Sequence, residues 1–330
     1  MYIFYTMSSM IVPTYLAEIN PHPRDKDISF EEGPHIYTVL GDRGGYTSVT
    51  TWNHHHFADF DADTTIRNIL RGKKWKNDPE YKYYKMTAEE IKTMWENKRD
   101  TSAAAGTKMH YDIECFYNNM PVVNESIEYE YFNKFLEDYS HFKPYRTEWM
   151  VYYEELKLSG SIDMIFENPD GTLQIYDWKR CEEISGETSF GKFSTTPCIS
   201  HLPDTNFWHY ALQLNIYKTI IEHKYDKKVT NLCLVRLHPN NAYKTYECIE
   251  IPFLDKEIKQ LFQLRLQEVK DIDEKTKSEQ KQKCKLCSVV TKPDDIIYEF
   301  EDSDESYVWC ETCYDKNEEQ LETDGWDYEN

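Results

Sequence analysis

The stretch YRTEWMVYYEELKLSGSIDMIFENPDGTLQIYDWKR, residues 145–180, constrains the fold of this chain more than any other. Short apolar and aromatic runs separated by turn residues predict successive β-strands there, and NPDG at residues 168–171 predicts the turn between the last two. The last strand ends in Asp177, Trp178 and Lys179, so strand alternation places the carboxylate and the ammonium group on one face. This pair is either a salt bridge at a sheet edge or a metal site with a lysine beside it.

Helical patterns lie on both sides of these strands. Thr87 predicts the N-cap of an amphipathic helix, a second helix is predicted from about Ser102 to Asn118, and a third at residues 127–140. After the strands, FWHYALQLNIYKTIIEHKY predicts a strong helix, two more strands follow, and LDKEIKQLFQLRLQEVKDID predicts a closing helix. This order of elements predicts an α/β fold.

The sequence divides into four predicted parts. Residues 1–56 are a β-rich segment, 57–270 a helical segment and the α/β core, 271–283 a charged linker, and 284–330 a cysteine-containing module with an acidic tail. The linker is predicted because DEKTKSEQKQK contains no apolar residue.

The formal net charge of −21 argues against nucleic-acid binding until its distribution is considered. Residues 294–330 hold fifteen acidic residues and one lysine, so this tail carries −14 and the first 293 residues carry only −7. A large domain this close to neutrality is compatible with a local basic groove, and DNA therefore remains a candidate partner.

Two features of the sequence indicate where the chain acts. No apolar run reaches the length of a membrane span, and no basic residue precedes Arg24 as a secretory signal would require. Five of the nine cysteines are scattered without pattern, which is typical of free thiols in a reducing compartment. We therefore expect an intracellular protein that is not secreted and has no membrane partner.

The spacing of two aspartates on the last two strands decides whether a metal site forms there. A four-residue loop at residues 168–171 would put Asp163 and Asp177 on opposite faces, whereas a loop of three or five residues, or a bulge, puts them together. Two carboxylates that close repel each other unless a cation lies between them. Oxygen ligands of this kind suit Mg²⁺ or Mn²⁺.

Two helices carry further candidates. His110 and Glu114 lie four residues apart on one helical face, with Gly106 a turn earlier, and Gln213 and Tyr217 have the same spacing on a later helix. Taken singly, each pair is more often structural than functional.

Taken together and in this order, the motifs Gly106…His110…Glu114, Gly160…Asp163, Asp177-x-Lys179 and Gln213…Tyr217 resemble the PD-(D/E)XK nuclease superfamily. The branch that they resemble is the RecB-like one, which includes lambda-type exonucleases and CRISPR-associated RecB-like nucleases. The resemblance covers residues 100–255 and implies a restriction-endonuclease-like core, a central mixed sheet flanked by helices. A composition with 26 tyrosines and many lysines and isoleucines is typical of AT-rich genomes such as those of large DNA viruses.

The resemblance implies metal-dependent hydrolysis of a DNA phosphodiester, with an exonuclease favoured over an endonuclease. It implies Mg²⁺ or Mn²⁺ bound by His110, Asp163, Asp177 and the carbonyl of Trp178. Lys179 would hold the attacking water and stabilise charge on the phosphate. It further implies that Gln213 and Tyr217 orient Lys179 or hold DNA, that Glu114 supports His110 or binds a second ion, and that Glu148 is an additional acid.

Two other functions remain open at this point. One is a catalytically inactive nucleic-acid or protein-binding module on the same fold, which the intact set of acids and Lys179 disfavours, and the other is an RNA-processing nuclease. Arg99 is a candidate for gripping a phosphate of the DNA. The segment RGKKWK, residues 71–76, would either line a DNA channel or form a solvated helix end.

Four cysteines near the C-terminus form two CxxC pairs separated by 22 residues, which matches four-cysteine zinc modules. They are Cys284, Cys287, Cys310 and Cys313. Some RecB-like relatives carry an iron–sulfur cluster instead, but their cysteines flank the nuclease core, and here all four follow it. Because the module is acidic, we expect it to contact a protein partner or another copy of the chain rather than DNA.

Overall fold

The structure is a computed structural model, and it describes residues 12–188, 191–281, 283–289, 297–301 and 306–324. The chain divides into two compact units, Met1–Leu261 and Phe262–Asn330. The first eleven residues of the predicted β-rich segment and the last six of the predicted acidic tail lie outside the described residues.

The first unit begins with a small β-rich region. Its elements are α1 (Tyr15–Ile19), β1 (Ile28–Glu31), β2 (Ile36–Val39), β3 (Asp42–Arg43), β4 (Thr47–Ser48) and α2 (Val49–His54). Strands β1, β2 and β3 form an antiparallel sheet of their own, whereas β4 joins the main sheet. Asp25 ties this region to the main sheet, because its carboxylate accepts hydrogen bonds from Arg146 at 2.8 Å and from the Trp149 ring at 2.9 Å.

Four helices follow: α3 (Ala62–Arg71), α4 (Lys73–Asn77), α5 (Ala88–Tyr117) and α6 (Ile127–Asp138). Thr87 caps α5 as predicted, in a reciprocal capping box with Glu90. The two helices predicted from Thr87 and from Ser102 are a single helix of 30 residues, so that division was wrong. The junction contains three consecutive alanines, the best helix formers, and no proline, so nothing interrupts the backbone hydrogen bonds there.

The main sheet is mixed, as the sequence predicted. It contains β4 together with β5 (Lys143–Tyr153), β6 (Leu158–Glu167), β7 (Leu173–Lys179), β8 (Val229–Arg236) and β9 (Glu247–Glu250), with α7 (Asn206–Lys224) between β7 and β8. Strand β7 is antiparallel to β6 and parallel to β8, while β5 and β9 are antiparallel edge partners of β6 and β8. Strand β4 runs parallel to the start of β6.

The register between β6 and β7 answers the question about the two aspartates. The last ladder pair is Met164 with Tyr176, and continuing the same register places Asp163 opposite Asp177. The connection between the strands is five residues long, 168–172, because the Asn168 N–H donates to the Thr172 carbonyl at 2.8 Å and closes the turn there. The connection therefore has five residues rather than four, and Asp163 and Asp177 lie opposite each other.

Helices cover both faces of this sheet. Residues of α5 and α6 pack on one face around Trp178, which is 1% exposed, with Phe132 and Phe135 against its ring at 5.6 Å and 5.3 Å. Helix α7 packs against β5, β7 and β8. Because successive side chains on a strand alternate, Asp177 and Lys179 point away from the face that holds Trp178.

The second unit contains most of α8 (Asp255–Lys281) and then β10 (Ile297–Glu301), β11 (Ser306–Cys310) and α9 (Glu311–Asp324). Strands β10 and β11 pair in antiparallel fashion between the two cysteine pairs, with Cys310 as the last residue of β11. The segment predicted as a charged linker is helical as far as Lys281. Within the residues that the structure describes, no helix is long and apolar enough to cross a membrane.

Candidate active site

A fork between β6 and β7 creates the candidate site. Beyond the pair Met164–Tyr176 the two strands no longer form a ladder. The Trp178 N–H instead donates to the Asp163 carboxylate, with 3.0 Å between nitrogen and Oδ2. The N–H and C=O of one strand residue point to the same edge, so the Trp178 carbonyl also faces the fork. This placement is compatible with the predicted carbonyl ligand.

Three side chains from three elements meet at the fork. His110 of α5, Glu148 of β5 and Asp163 of β6 each offer a ligand atom, and these atoms lie within 4.8 Å of one another. His110 Nδ1 is 3.4 Å from Asp163 Oδ2 and 4.0 Å from Glu148 Oε1. Asp177 is not part of this group, although the charge of Asp163 raises its pKa and that of His110 lowers it.

Glu148 occupies an unusual backbone position directly opposite Asp163. The flanking ladder pairs are Thr147 with Met164 and Trp149 with Ile162, so the two acids face each other across the strands. The φ angle of Glu148 is +41°, a conformation that costs a non-glycine residue about 1–3 kcal/mol. Like charges directly opposite each other are also destabilising. Such a position persists when the surrounding structure imposes it, and it points to a functional role for the carboxylate.

The environment of Glu148 keeps its carboxyl group protonated near neutral pH when no ion is bound. Burial raises the pKa of Glu148 to about 8, and the nearby Asp163 carboxylate acts in the same direction. His110 and the Ser161 hydroxyl, which donates to Glu148 Oε2 at 2.8 Å, oppose this shift. The sequence indicated Glu148 only as an additional acid, because its position opposite Asp163 depends on the register shift between Pro144 and Arg146.

Asp177 and Lys179 form a buried ion pair beside the fork. Lys179 Nζ lies 2.5 Å from Asp177 Oδ2, and the Asp177 side chain is 4% exposed. Burial raises the pKa of Asp177 to about 6, with Asp163 adding to the shift and Lys179 opposing it. Burial alone would lower the pKa of Lys179, but the Asp177 and Asp163 carboxylates raise it above its ordinary value. Lys179 is therefore an ammonium ion at neutral pH, and Asp177 is a carboxylate.

Helix α7 packs beside the Asp177–Lys179 pair. Tyr217 packs so closely on Gly160 that a Cβ atom at residue 160 would lie 2.6 Å from the Tyr217 hydroxyl oxygen. Gln213 lies beside the same hydroxyl group. Tyr210, one turn earlier on α7, places its ring 4.6 Å from Lys179 Nζ. The sequence alone does not distinguish Tyr210 from a core residue. Its spacing of three and seven residues from Gln213 and Tyr217 nevertheless places it on the same helical face.

The two other predicted residues on α5 differ in their relation to the site. Glu114 is one turn after His110, and it contributes to the raised pKa of Glu148, which places it close to the cluster. Burial raises the pKa of Glu114 itself to about 7. Arg99 is exposed, pairs with Asp100 at 2.9 Å, and precedes His110 by about 16 Å of helix. The structure therefore does not bring Arg99 into the cluster.

The residues at the fork fit a hard divalent cation. They offer carboxylate oxygens and one imidazole nitrogen, the donor set that suits Mg²⁺ or Mn²⁺ better than a soft metal. Asp177 Oδ2 is buried and makes no well-directed hydrogen bond, although Lys179 Nζ is close to it. Repulsion between Glu148 and Asp163 and this incompletely bonded oxygen are both features that a bound cation would compensate.

An open cavity of about 500 Å³ lies just beyond the carboxyl ends of β7 and β8. Arg180 and Cys181, which follow Lys179, form one wall, and Lys98 and Ser102 of α5 form another. Lys98 pairs with Glu182 across this cavity at 2.8 Å. The cavity therefore borders α5 two to three turns before His110.

The second unit holds a separate cluster of thiols. One Sγ atom from each of Cys284, Cys287, Cys310 and Cys313 lies within 4.8 Å of the others, and Cys287 Sγ is 3.6 Å from Cys310 Sγ. Burial would raise the pKa of Cys284, but backbone N–H groups of Cys310, Cys287 and Leu286 outweigh this effect and lower the pKa to about 6. Four thiol groups of which one ionises readily form a donor set that could hold a metal ion such as Zn²⁺.

Comparison with protein-family profiles gives a match. The sequence profile of the PD-(D/E)XK nuclease superfamily matches residues 79–291, more than half of the chain. No curated protein sequence matches the chain. The matched region contains every residue of the fork described above.

Proposed function

Because this chain belongs to the PD-(D/E)XK nuclease superfamily, we propose that it is a divalent-metal-dependent DNA nuclease and acts as an exonuclease. The observation that carries the proposal is the meeting of His110, Glu148 and Asp163 at one fork, with the Asp177–Lys179 ion pair beside them. Hydrolysis of a phosphodiester requires an activated water and stabilisation of negative charge on the phosphate, and this set of groups is suited to both.

His110, Asp163, Asp177 and the Trp178 carbonyl would hold the ion in this proposal, and Glu148 would join them because it faces Asp163. A bound Mg²⁺ or Mn²⁺ supplies Lewis acidity toward a phosphoryl oxygen. The hydrogen bond from the Trp178 N–H fixes the orientation of the Asp163 carboxylate, with 3.0 Å between nitrogen and oxygen. Glu114, one turn after His110, supports the histidine and the acidic cluster from the same helix.

Lys179 acts as a fixed positive charge. Its pKa lies above the ordinary value, so the ammonium group donates hydrogen bonds to the attacking water and to the phosphate rather than accepting a proton. Asp177 and the ring of Tyr210 hold this ammonium group in place. Tyr217 packs against Gly160, and Gln213 lies beside the Tyr217 hydroxyl group. These contacts hold α7 against β6 and thereby fix the distance between β6 and Lys179.

The preference for DNA and for exonuclease action rests on the resemblance of the motif order to the RecB-like branch. That branch and a viral source remain predictions. An RNA-processing nuclease would use the same fork, and it is the second candidate that a substrate comparison distinguishes.

The test uses DNA labelled at either the 5′ or the 3′ end, in linear and in covalently closed circular form, with Mg²⁺. We expect stepwise loss of label from linear DNA, no cleavage of the circle, and no reaction with EDTA. Asp163→Asn and Lys179→Met serve as matched variants, and RNA of the same sequence serves as the alternative substrate. Equal cleavage by the wild-type protein and both variants would indicate a contaminating nuclease and refute the proposal.

We also propose that the four cysteines of the second unit bind one structural Zn²⁺ and that this acidic module contacts a protein partner or a second copy of the chain. The clustering of the four thiols and the β10–β11 hairpin between the two pairs support the zinc site. The five cysteines outside the two CxxC pairs are scattered without pattern, which supports our proposal of a reducing, intracellular setting.

A further inference from the structure

We infer that residues 67–85, here called the basic segment, bind the phosphate backbone of duplex DNA on one side of the cleaved bond. The inference rests on the proposed nuclease function and names the surface that would hold its substrate. The segment includes the end of α3, all of α4 and the turn before α5. Most of it precedes residue 79, where the match to the superfamily begins.

The first argument is charge. The basic segment contains seven basic and two acidic residues, so it carries +5 in a chain whose net charge is −21. All seven basic side chains are exposed. Within the described part of the chain, no carboxylate pairs with Arg71, Lys73, Lys74 or Lys76. Exposed cations with no protein counter-ion are the groups that gain most from a phosphate backbone, because binding releases counter-ions.

The second argument is that the basic segment is held in place. Ile66, Tyr83 and Ile91 form a small buried core between α3, the turn and α5. The Trp75 ring N–H donates to the Met86 carbonyl at 2.9 Å, which anchors α4 against the start of α5. The lysines therefore project from a packed helical scaffold.

The third argument favours duplex DNA over a single strand. Sites for single strands stack bases on exposed aromatic rings. Trp75 is half-buried and hydrogen-bonded, and Trp95 donates to the Tyr83 hydroxyl at 2.9 Å, so these rings are engaged in packing the scaffold. What remains accessible on α4 is positive charge, which recognises a backbone rather than bases.

Helix α5 sets the distance from this surface to the active site. The helix is continuous from Ala88 to Tyr117, and it contacts the basic segment near Ile91 and carries His110. These two positions are about 28 Å apart along the helix axis, which corresponds to about eight base pairs of duplex. The cavity at Lys98 and Ser102 lies between them on the same helix.

The experiment measures binding of a 20-base-pair duplex by fluorescence anisotropy over a range of salt concentrations, with EDTA present so that no cleavage occurs. For the variant Lys73→Gln/Lys74→Gln/Lys76→Gln, we expect binding at least about tenfold weaker and a salt slope smaller by about 2 to 3, since each phosphate contact contributes about 0.9 to that slope. The triple arginine variant at the same positions keeps the charge and should bind like the wild type.

The matched control changes Lys228, Lys256 and Lys259 to glutamine. These lysines are exposed and have no ion-pair partner among the described residues, so the net charge changes by the same amount. An unaltered salt slope in the α4 variant, or an equal loss in the control, would overturn the inference. An equal loss for single-stranded DNA of the same length would overturn its assignment to duplex.

A second readout separates this inference from the proposed function. In cleavage assays with Mg²⁺, the α4 variant should be slower than wild type on duplexes of 20 base pairs and equal to it on duplexes too short to reach the basic segment. If the wild-type protein cleaves DNA and the α4 variant matches it at every length, the inference fails and the nuclease assignment stands. If the wild-type protein binds duplex through the basic segment but cleaves nothing, the nuclease assignment fails and the inference stands.

Discussion

The backbone N–H of Trp178 donates to the carboxylate of Asp163 across the fork where β6 and β7 stop pairing, with 3.0 Å between nitrogen and Oδ2. This contact replaces the next ladder hydrogen bond, so a side chain of β6 takes the position that a backbone carbonyl would otherwise occupy. It links the packing of Trp178 in the core to the orientation of an acid in the site. The residues around it give four tests, and the cysteines of the second unit give a fifth.

Replacing Lys179 by methionine should lower the rate of a single catalytic turnover by about 10²–10³, because a positioned charge that stabilises the transition state is lost. The affinity for DNA should fall much less than the rate, because the interaction of this ammonium group with the phosphate strengthens in the transition state. Rapid-quench assays with enzyme in excess measure the rate. Lys228→Met, which changes an exposed lysine immediately before β8, is the matched control. A rate within a few-fold of wild type would contradict the role given to Lys179.

Replacing Glu148 by glutamine should have opposite effects on the metal-free and the metal-bound protein. Without metal, the variant should melt at a higher temperature at pH 9, because a negative charge directly opposite Asp163 is removed. With Mg²⁺ or Mn²⁺, it should lose most of the metal-induced rise in melting temperature. Calorimetry with and without metal measures both quantities. Ser161→Ala, which removes only the hydrogen bond to Glu148, is the control. It should change the melting temperature and its metal-induced rise by less than Glu148→Gln does.

The affinity for the divalent ion should depend on pH. In the metal-free protein the pKa of Glu148 is about 8, above that of an unfolded chain, so the carboxyl group is protonated below that pH. Its contribution to stability is present at low pH and is lost as the pH rises through 8, whereas metal binding needs the carboxylate and should tighten up to the same pH. Titration calorimetry at pH 7 in two buffers should show release of about one proton per ion. Glu148→Gln should abolish most of that release.

Replacing Gly160 by alanine should disrupt the site through Tyr217. The new methyl group would lie 2.6 Å from the hydroxyl oxygen and 2.8 Å from a ring carbon of Tyr217. Neither contact is tolerable, so we expect a loss of about 1–3 kcal/mol in unfolding free energy and a large fall in activity. The variant Tyr217→Phe relieves only the hydroxyl contact and should rescue part of the loss. Additive effects of the two substitutions in denaturant melts would show that the residues are not in contact.

Removing zinc should affect the second unit before the first. Binding to four thiolates contributes about 10–16 kcal/mol in small zinc modules, so the β10–β11 hairpin should lose its structure when a chelator takes the ion. We expect one zinc per chain by elemental analysis, and none in Cys284→Ser/Cys287→Ser. Cleavage activity with Mg²⁺ should persist in that variant, because its cysteines lie in the second unit. Detection of iron and sulfide in place of zinc would contradict the zinc assignment.

The sequence predicted the fold because its periodicity is local. The cap at Thr87, the strands from residue 145 and the helix containing Gln213 can each be recognised within a few turns of chain. The role of Glu148 could not be predicted in the same way. Its position opposite Asp163 depends on a bulge and on a backbone conformation that leave no mark on residue spacing.

The distance between the basic segment and His110 along α5 was equally difficult to predict. The alanine-rich junction in α5 joins two helices that composition alone left apart, and this continuity fixes the basic segment relative to His110. Tyr210 was missed because an aromatic residue on a buried helix is usually part of the core. Only the distance of 4.6 Å to Lys179 Nζ distinguishes it.

The connection at residues 168–172 shows where the chain can tolerate a change in length. It lies at the far end of β6 and β7 from the fork, and Gly171 adopts a φ of +81° within it. The faces of β7 are fixed independently of this tip, because Trp178 is packed in the core and the whole strand also pairs with β8. A residue inserted at the tip should therefore lengthen the loop without moving Asp177 to the other face, and cleavage activity should survive the insertion.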